Sequence, residues 1–199
     1  CISIRPSPSS VEEKMNAKDD KTHFIGVLPS PEIREHLERD REWVRRRYGC
    51  ISGHSTPVHI TLIPPLHSTL STGDLRDALL GIAPLLPSFK AMVQGYGAFG
   101  NRTIFLAVEE DPRWTELSSS ISKGLKAMGG GNRVEKGPFI PHFTVANRDI
   151  PPSAFPQILS HYLSSPYSAT FLVKEVALFH REGRLWKLDD ADIVRLSSR

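Results

Sequence analysis

Twice in this chain a short apolar strand ends in valine, and four residues later a proline opens a helix. Val27 precedes Pro31 and Val108 precedes Pro112, an offset of 81 between the copies (27 to 108, 31 to 112). After each helix comes a strand that carries a histidine, His59 in one copy and His142 in the other, offset by 83 (59 to 142). A strand, a capped helix and a His-bearing strand repeated nearly in register imply two similar lobes, each presenting the same strand.

Hydrophobic spacing predicts the order β-α-β-α-β-β-α-β-α-β-β around this repeat. The opening strand is "HFIGVL" (23–28). Ser30 caps the first helix, with Pro31 in its first turn and Ile33, Leu37, Val44 and Tyr48 at helical spacing. Residues 72–86 form the next helix. "FKAMVQGYGAFGNRTIFLAV" makes two strands turning at Gly100-Asn101. Asp111 caps a helix whose apolar stripe is Trp114, Leu117, Ile121, Leu125 and Met128. A loop at 129–137 leads to "PFIPHFTVANR". A short helix at 151–163 and a hairpin over 169–188, turning near Glu182-Gly183, complete the chain.

The two His-bearing strands share one form. "PVHITLIPPL" (57–66) reads as a strand closed by two prolines, with Ile60 and Leu62 on one face and His59 and Thr61 on the other. "HFTV" repeats this with His142, Phe143, Thr144 and Val145. The spacing alone is weak, because His54-Ser55-Thr56 and His67-Ser68-Thr69 also fit His-x-Thr. Those two have Ser in the middle and lie beside Gly or Pro in loop-like stretches, so neither gives a strand with a face to bury. A lone strand histidine is usually structural; two in matched motifs at duplicated positions are not easily read that way.

Composition sets looser bounds. The 199 residues can bury a substantial core. Net charge is +3, from 25 basic and 22 acidic residues, which permits a polyanionic ligand without arguing for one. No apolar run reaches the roughly 18–20 residues of a membrane span. Cys1 and Cys50 are the two cysteines, too few for a disulfide framework or metal quartet, so a reduced, cytoplasmic setting is expected. Cys50, His54, His59 and His67 match no standard zinc spacing, and no metal or cofactor is expected. Residues 1–21 are polar and rich in Ser, Pro and Lys, and read as a disordered tail, with Met15 a candidate natural start. The remaining 22–199 form one domain.

From His23 to Leu196 the chain resembles the two-histidine (2H) phosphoesterases, and within them the bacterial 2'-5' RNA ligase and RNA 2',3'-cyclic phosphodiesterase group. "HFIGVLPSPEIREHL", "HITL", "GYGAFGNRTIFLAV", "PHFTV" and "VKEVALFHREGRLWKL" carry the resemblance, in family order. It implies an α+β fold of two pseudo-symmetric antiparallel-sheet lobes with outer helices, around a V-shaped cleft with one His-x-Thr on each wall. The implied activity is metal-independent hydrolysis of 2',3'-cyclic phosphate ends or 2'-5' linkages of RNA or a small nucleotide, leaving a 2'-phosphate, with reverse 2'-5' joining. Histidine titrates near pH 6.5, so one ring can act as base and the other as acid near neutrality. By resemblance His142 is the base toward water and His59 the acid toward the leaving oxygen. Thr61 and Thr144 can donate to non-bridging phosphate oxygens.

Phe99 resembles the family aromatic that stacks on a base, against plain packing at a turn. Arg148 is a candidate phosphate contact, although the family's Arg falls five residues after the second His, where this chain has Asn147. "RDREWVRRRY" (39–48) can track an RNA backbone, with a solvated helix face the alternative. A monomer is expected. The competing readings are a non-catalytic RNA- or nucleotide-binding module, and a phosphodiesterase confined to a small nucleotide.

Overall fold

The computed structural model describes residues 21–128 and 139–199. The tail expected over 1–21, apart from Lys21, and the loop at 129–137 lie outside them. Nine strands form one sheet: β1 (His23–Val27), β2 (Ile60–Leu66), β3 (Phe89–Phe99), β4 (Thr103–Val108), β5 (His142–Asn147), β6 (Ser168–Val173), β7 (Glu175–Glu182), β8 (Leu185–Lys187) and β9 (Ile193–Arg195). Among the described residues four helices accompany it: α1 (Pro31–Tyr48), α2 (Thr72–Ile82), α3 (Pro112–Ala127) and α4 (Phe155–Leu163).

The strand order is β6-β3-β4-β5-β2-β1-β7-β8, with β9 beside β7, and every ladder between these strands is antiparallel. The repeat seen in the sequence is visible as two halves. β4 and β5 pair on one side as β1 and β2 pair on the other. The halves meet where β2 touches β5, in a ladder of one pair, Ile60 with Phe143. Beyond that pair β2 follows β1 and β5 follows β4, so the sheet divides and a cleft opens along the seam.

The repeated helices begin as their residues dictate. The Ser30 hydroxyl accepts from the Ile33 N–H, and the Asp111 carboxylate accepts from the Arg113 N–H. α1 ends on Gly49, whose left-handed backbone (φ 75°) lets its N–H reach the Arg45 carbonyl. Each helix then crosses to the other half: α1 packs on β5 and α3 packs on β2. Ile33, Leu37 and Val44 of α1 and Trp114, Leu117, Ile121 and Leu125 of α3 are buried, closing one core over the seam. Met128, expected in the α3 stripe, instead lies exposed at the helix end. α2 stops at Ile82, earlier than expected, because Pro84 follows and residues 83–85 tighten into a 3₁₀ turn.

Two further expectations are corrected. The stretch 169–188 holds three strands: the expected hairpin turn at Glu182-Gly183 joins β7 to β8, but β6 before it is a separate strand. β6 pairs with β3 in one half, and after Lys174 β7 pairs with β1 in the other. No turn residue marks the change of partner, which is why the run reads as continuous. β2 also runs through Pro64 and Pro65 instead of ending at them. The β1–β2 register shifts between the Ile25–Ile63 and His23–Leu66 pairs, so the prolines sit in a bulge where no ladder N–H is needed. Among the described residues no helix is long and apolar enough to cross a membrane.

Candidate active site

His59 immediately precedes β2 and His142 begins β5. Their partners Ile60, Leu62, Phe143 and Val145 are buried in the core, while the two histidines and Thr61 and Thr144 stay partly accessible. The residues flanking the Ile60–Phe143 pair are His59 and Thr61 on one strand and His142 and Thr144 on the other, on the strand face opposite those two core side chains. The four expected residues therefore flank the one point where the halves join; His59, Thr61 and Thr144 line the cleft there, and the His142 charge reaches His59.

The rings are held alike. His59 Nδ1 lies 2.7 Å from the Pro57 carbonyl and His142 Nδ1 lies 2.7 Å from the Ile140 carbonyl. A carbonyl only accepts, so each Nδ1 carries the hydrogen and each neutral ring presents a bare Nε2. The Thr61 hydroxyl, 3.2 Å from His59 Nε2, donates to it. Aromatic pairs brace both rings: Phe24 and Phe179 at 4.7 and 5.3 Å from His59, Phe99 and Phe105 at 4.9 and 5.2 Å from His142. Phe24 and Phe105 are separated by the same 81 residues that relate Val27 to Val108 (24 to 105).

Gly26 permits this approach. A Cβ there would meet the Ile60 carbonyl at 2.7 Å and His59 Cδ2 at 3.4 Å. Backbone cannot rotate away, so Gly26→Ala must separate β1 from β2 beside His59. A loss of about 1–3 kcal/mol is expected, read as a lower midpoint in urea unfolding.

Removal from water pushes the His59 imidazole down to about 4, aided by the Arg41 charge and by His142, and outweighing the bond to Pro57. Burial also lowers His142, against the bond to Ile140. Both rings are thus neutral at pH 7. For stability, the unfolded chain takes up protons below about pH 6.5, whereas folded His59 resists them until about 4. Stability is therefore lost as pH falls through that window, by at most about 3 kcal/mol from His59. His23, His36 and His142 act in the same direction. Asp40, raised to about 6 by burial, opposes them. Thermal melts should show a lower Tm at pH 5 than at pH 7.5, with the difference reduced in His59→Gln.

A cleft of about 260 Å³ adjoins these groups, lined by His59, Thr61, Thr144, Phe24, Trp186 and Arg41 among others. It continues past Arg41 and Trp186 into a groove of about 530 Å³ bordered by Pro57, His54 and Lys187. Arg41 departs from the solvated face expected of "RDREWVRRRY". It is buried, whereas Arg39, Arg45 and Arg46 are exposed and paired to Glu35 and Glu42.

Phe99 lies beside His142 and is 37% exposed. Arg148 is exposed past the end of β5 with φ 71°, its N–H bonded to the Arg102 carbonyl. A register shift between the Ile104–Ala146 and Phe105–Thr144 pairs resets the alternation, so Asn147, not Arg148, lines the cleft. Phe24 and Trp186 were not singled out by sequence reasoning, though the 81-residue offset marks Phe24. Among the described residues, His180, Asp189 and Asp192 bring possible metal-ligand atoms within 4.8 Å of one another, on the side of β7 opposite Phe179.

A divided antiparallel sheet with a His-x-Thr pair on each side of the seam defines the two-histidine phosphoesterase class. Within it, the chain belongs to the 2'-5' RNA ligase superfamily, whose family model matches residues 29–185. Among solved structures it is similar to TT0787 of Thermus thermophilus, at 22% identity and TM-score 0.64, over 89% of this chain and 99% of that one. It is also similar to E. coli LigT in apo form, at 18% identity and TM-score 0.59, over 89% of this chain and 98% of that one. LigT has also been solved complexed with 3'-AMP, ATP, NADP+ and phosphate. No curated protein sequence matches the chain.

Proposed function

We propose that this protein is a metal-independent phosphodiesterase that hydrolyses 2',3'-cyclic phosphate ends or 2'-5' linkages of RNA or a small nucleotide, and that it can run the reverse 2'-5' joining. The observation that carries the reading is the placement of His59-Thr61 and His142-Thr144 on either side of one seam, each ring locked through Nδ1 with Nε2 left for chemistry. His142 Nε2 takes a proton from water as the water oxygen bonds to phosphorus. The opposite P–O bond breaks, and His59 Nε2 gives its proton to the departing oxygen. Charge gathering on the non-bridging oxygens meets the Thr61 and Thr144 hydroxyls.

His59 must carry a proton for this role, yet burial holds it neutral. An incoming phosphate anion restores it, because a negative charge beside an imidazole raises its pKa. Substrate thus sets the acid in place as it binds. The nucleotide complexes of LigT support a nucleotide-sized ligand. Phe99 beside His142 and Trp186 beside the His59 wall offer aromatic surfaces for bases. Arg148 is left to contact a longer RNA.

The test is incubation with nucleoside 2',3'-cyclic phosphates in EDTA. Release of a nucleoside 2'-phosphate is expected. Loss of activity in EDTA would rule out the metal-free route, and RNA binding without turnover would favour the binding module.

A further inference from the structure

Arg41 is the one cleft-lining residue with a permanent charge among the described residues, and it is 6% exposed. The nearest carboxylate charge acting on it is that of Glu38, one turn earlier on α1, which is exposed and stands in the adjoining groove rather than in the cleft. Its guanidinium bonds only to backbone carbonyls: Nε and Nη2 to Thr144 (3.2 and 3.0 Å), Nη1 to Gly53 (2.7 Å) and Thr56 (2.9 Å). The cage is built for it. A Cβ on Gly53 would lie 3.0 Å from Arg41 Cδ, so glycine leaves the room the side chain needs. These bonds join the second motif, at Thr144, to the segment that leads into His59.

A buried cation is costly, and carbonyl dipoles and one exposed carboxylate offset only part of that cost. The cleft itself has no carboxylate in its lining, so an anion entering beside His59, Thr61 and Thr144 meets the Arg41 charge without a competing negative side chain there.

We propose that Arg41 supplies the fixed positive charge that binds the substrate's phosphate in this cleft, while its carbonyl cage holds the two His-x-Thr motifs at their working separation. This rests on the phosphodiesterase reading and names the residue that meets the phosphate charge. Being mostly buried, Arg41 acts by its field and is a positioning residue. Burial lowers the guanidinium only to about 10, so it stays charged at neutral pH. The Asp149 carboxylate separately holds the same loop through the Ile51 and Ser52 N–H groups, so the loop keeps an anchor when Arg41 is changed.

The probe is inorganic phosphate, titrated by NMR of the histidine rings and as an inhibitor of cyclic-phosphate hydrolysis. Arg41→Gln, which keeps donors for the carbonyls but loses the charge, should weaken phosphate binding about tenfold or more. Arg41→Lys should keep most of the affinity while kcat falls. His59 should titrate at higher pH in Arg41→Gln than in wild type or Arg41→Lys, a shift that a purely structural role would not produce. Unchanged phosphate affinity in Arg41→Gln, or equal losses in both variants, overturns the proposal. Wild-type protein supplies an arm that needs no variant. At about pH 8 both histidines are neutral, and phosphate binding must persist there; its disappearance with histidine deprotonation would assign the charge to the rings instead. Arg41-dependent binding without turnover would refute the phosphodiesterase reading alone, and turnover with Arg41-independent binding would refute this inference alone.

Discussion

Replacing either His59 or His142 by alanine is expected to lower kcat on a nucleoside 2',3'-cyclic phosphate by about 10²–10⁴-fold, the range for a positioned general acid or base. The two rings are bound alike and braced alike, so neither is a spare for the other. The double variant should be little worse than the worse single one, because acid and base act in one step. Folding should survive: each change removes a desolvated ring, and the core residues Ile60 and Phe143 beside them remain. Turnover assays paired with thermal melts read both effects. Substantial turnover in either folded variant would end the acid–base account.

The hydroxyls are expected to rank next. Thr61→Val and Thr144→Val keep the shape of the side chain and remove the donor, and each should lower kcat by about 10²–10³-fold, as losing one transition-state hydrogen bond does. Serine at either position should restore most of the rate. The two valine variants should still differ in their pH profiles. Thr61 donates to His59 Nε2, so its loss perturbs the titration of that ring as well as phosphate contact. Thr144 touches the site's charge through its backbone carbonyl, which accepts from Arg41 and is unaffected by the side-chain change. Steady-state pH profiles of the two variants separate these cases.

Much of this arrangement was legible in the residues. Ile60 and Leu62 alternate with His59 and Thr61 because one face of the strand is core and the other is cleft, and that alternation is written directly in "HITL". The Pro31 and Pro112 helix starts were equally plain, since capping chemistry is local. What depends on partners across the fold was not. Nothing in "VKEV" says that the chain changes halves at Lys174. Arg41 sits among exposed arginines in the sequence, and only the crossing of α1 onto β5 shows that it is buried beneath Thr144. The bulge in β5 that turns Asn147 inward needs the β4 register to be seen.

The central claim is that both motifs grip one phosphate. A crystal structure of the protein with inorganic phosphate tests it most directly. A single phosphate is expected in the cleft at the seam, with oxygens within about 3.2 Å of Nε2 of both His59 and His142 and of the Thr61 and Thr144 hydroxyls. A phosphate held by one motif, with the other histidine out of hydrogen-bond reach, would contradict it.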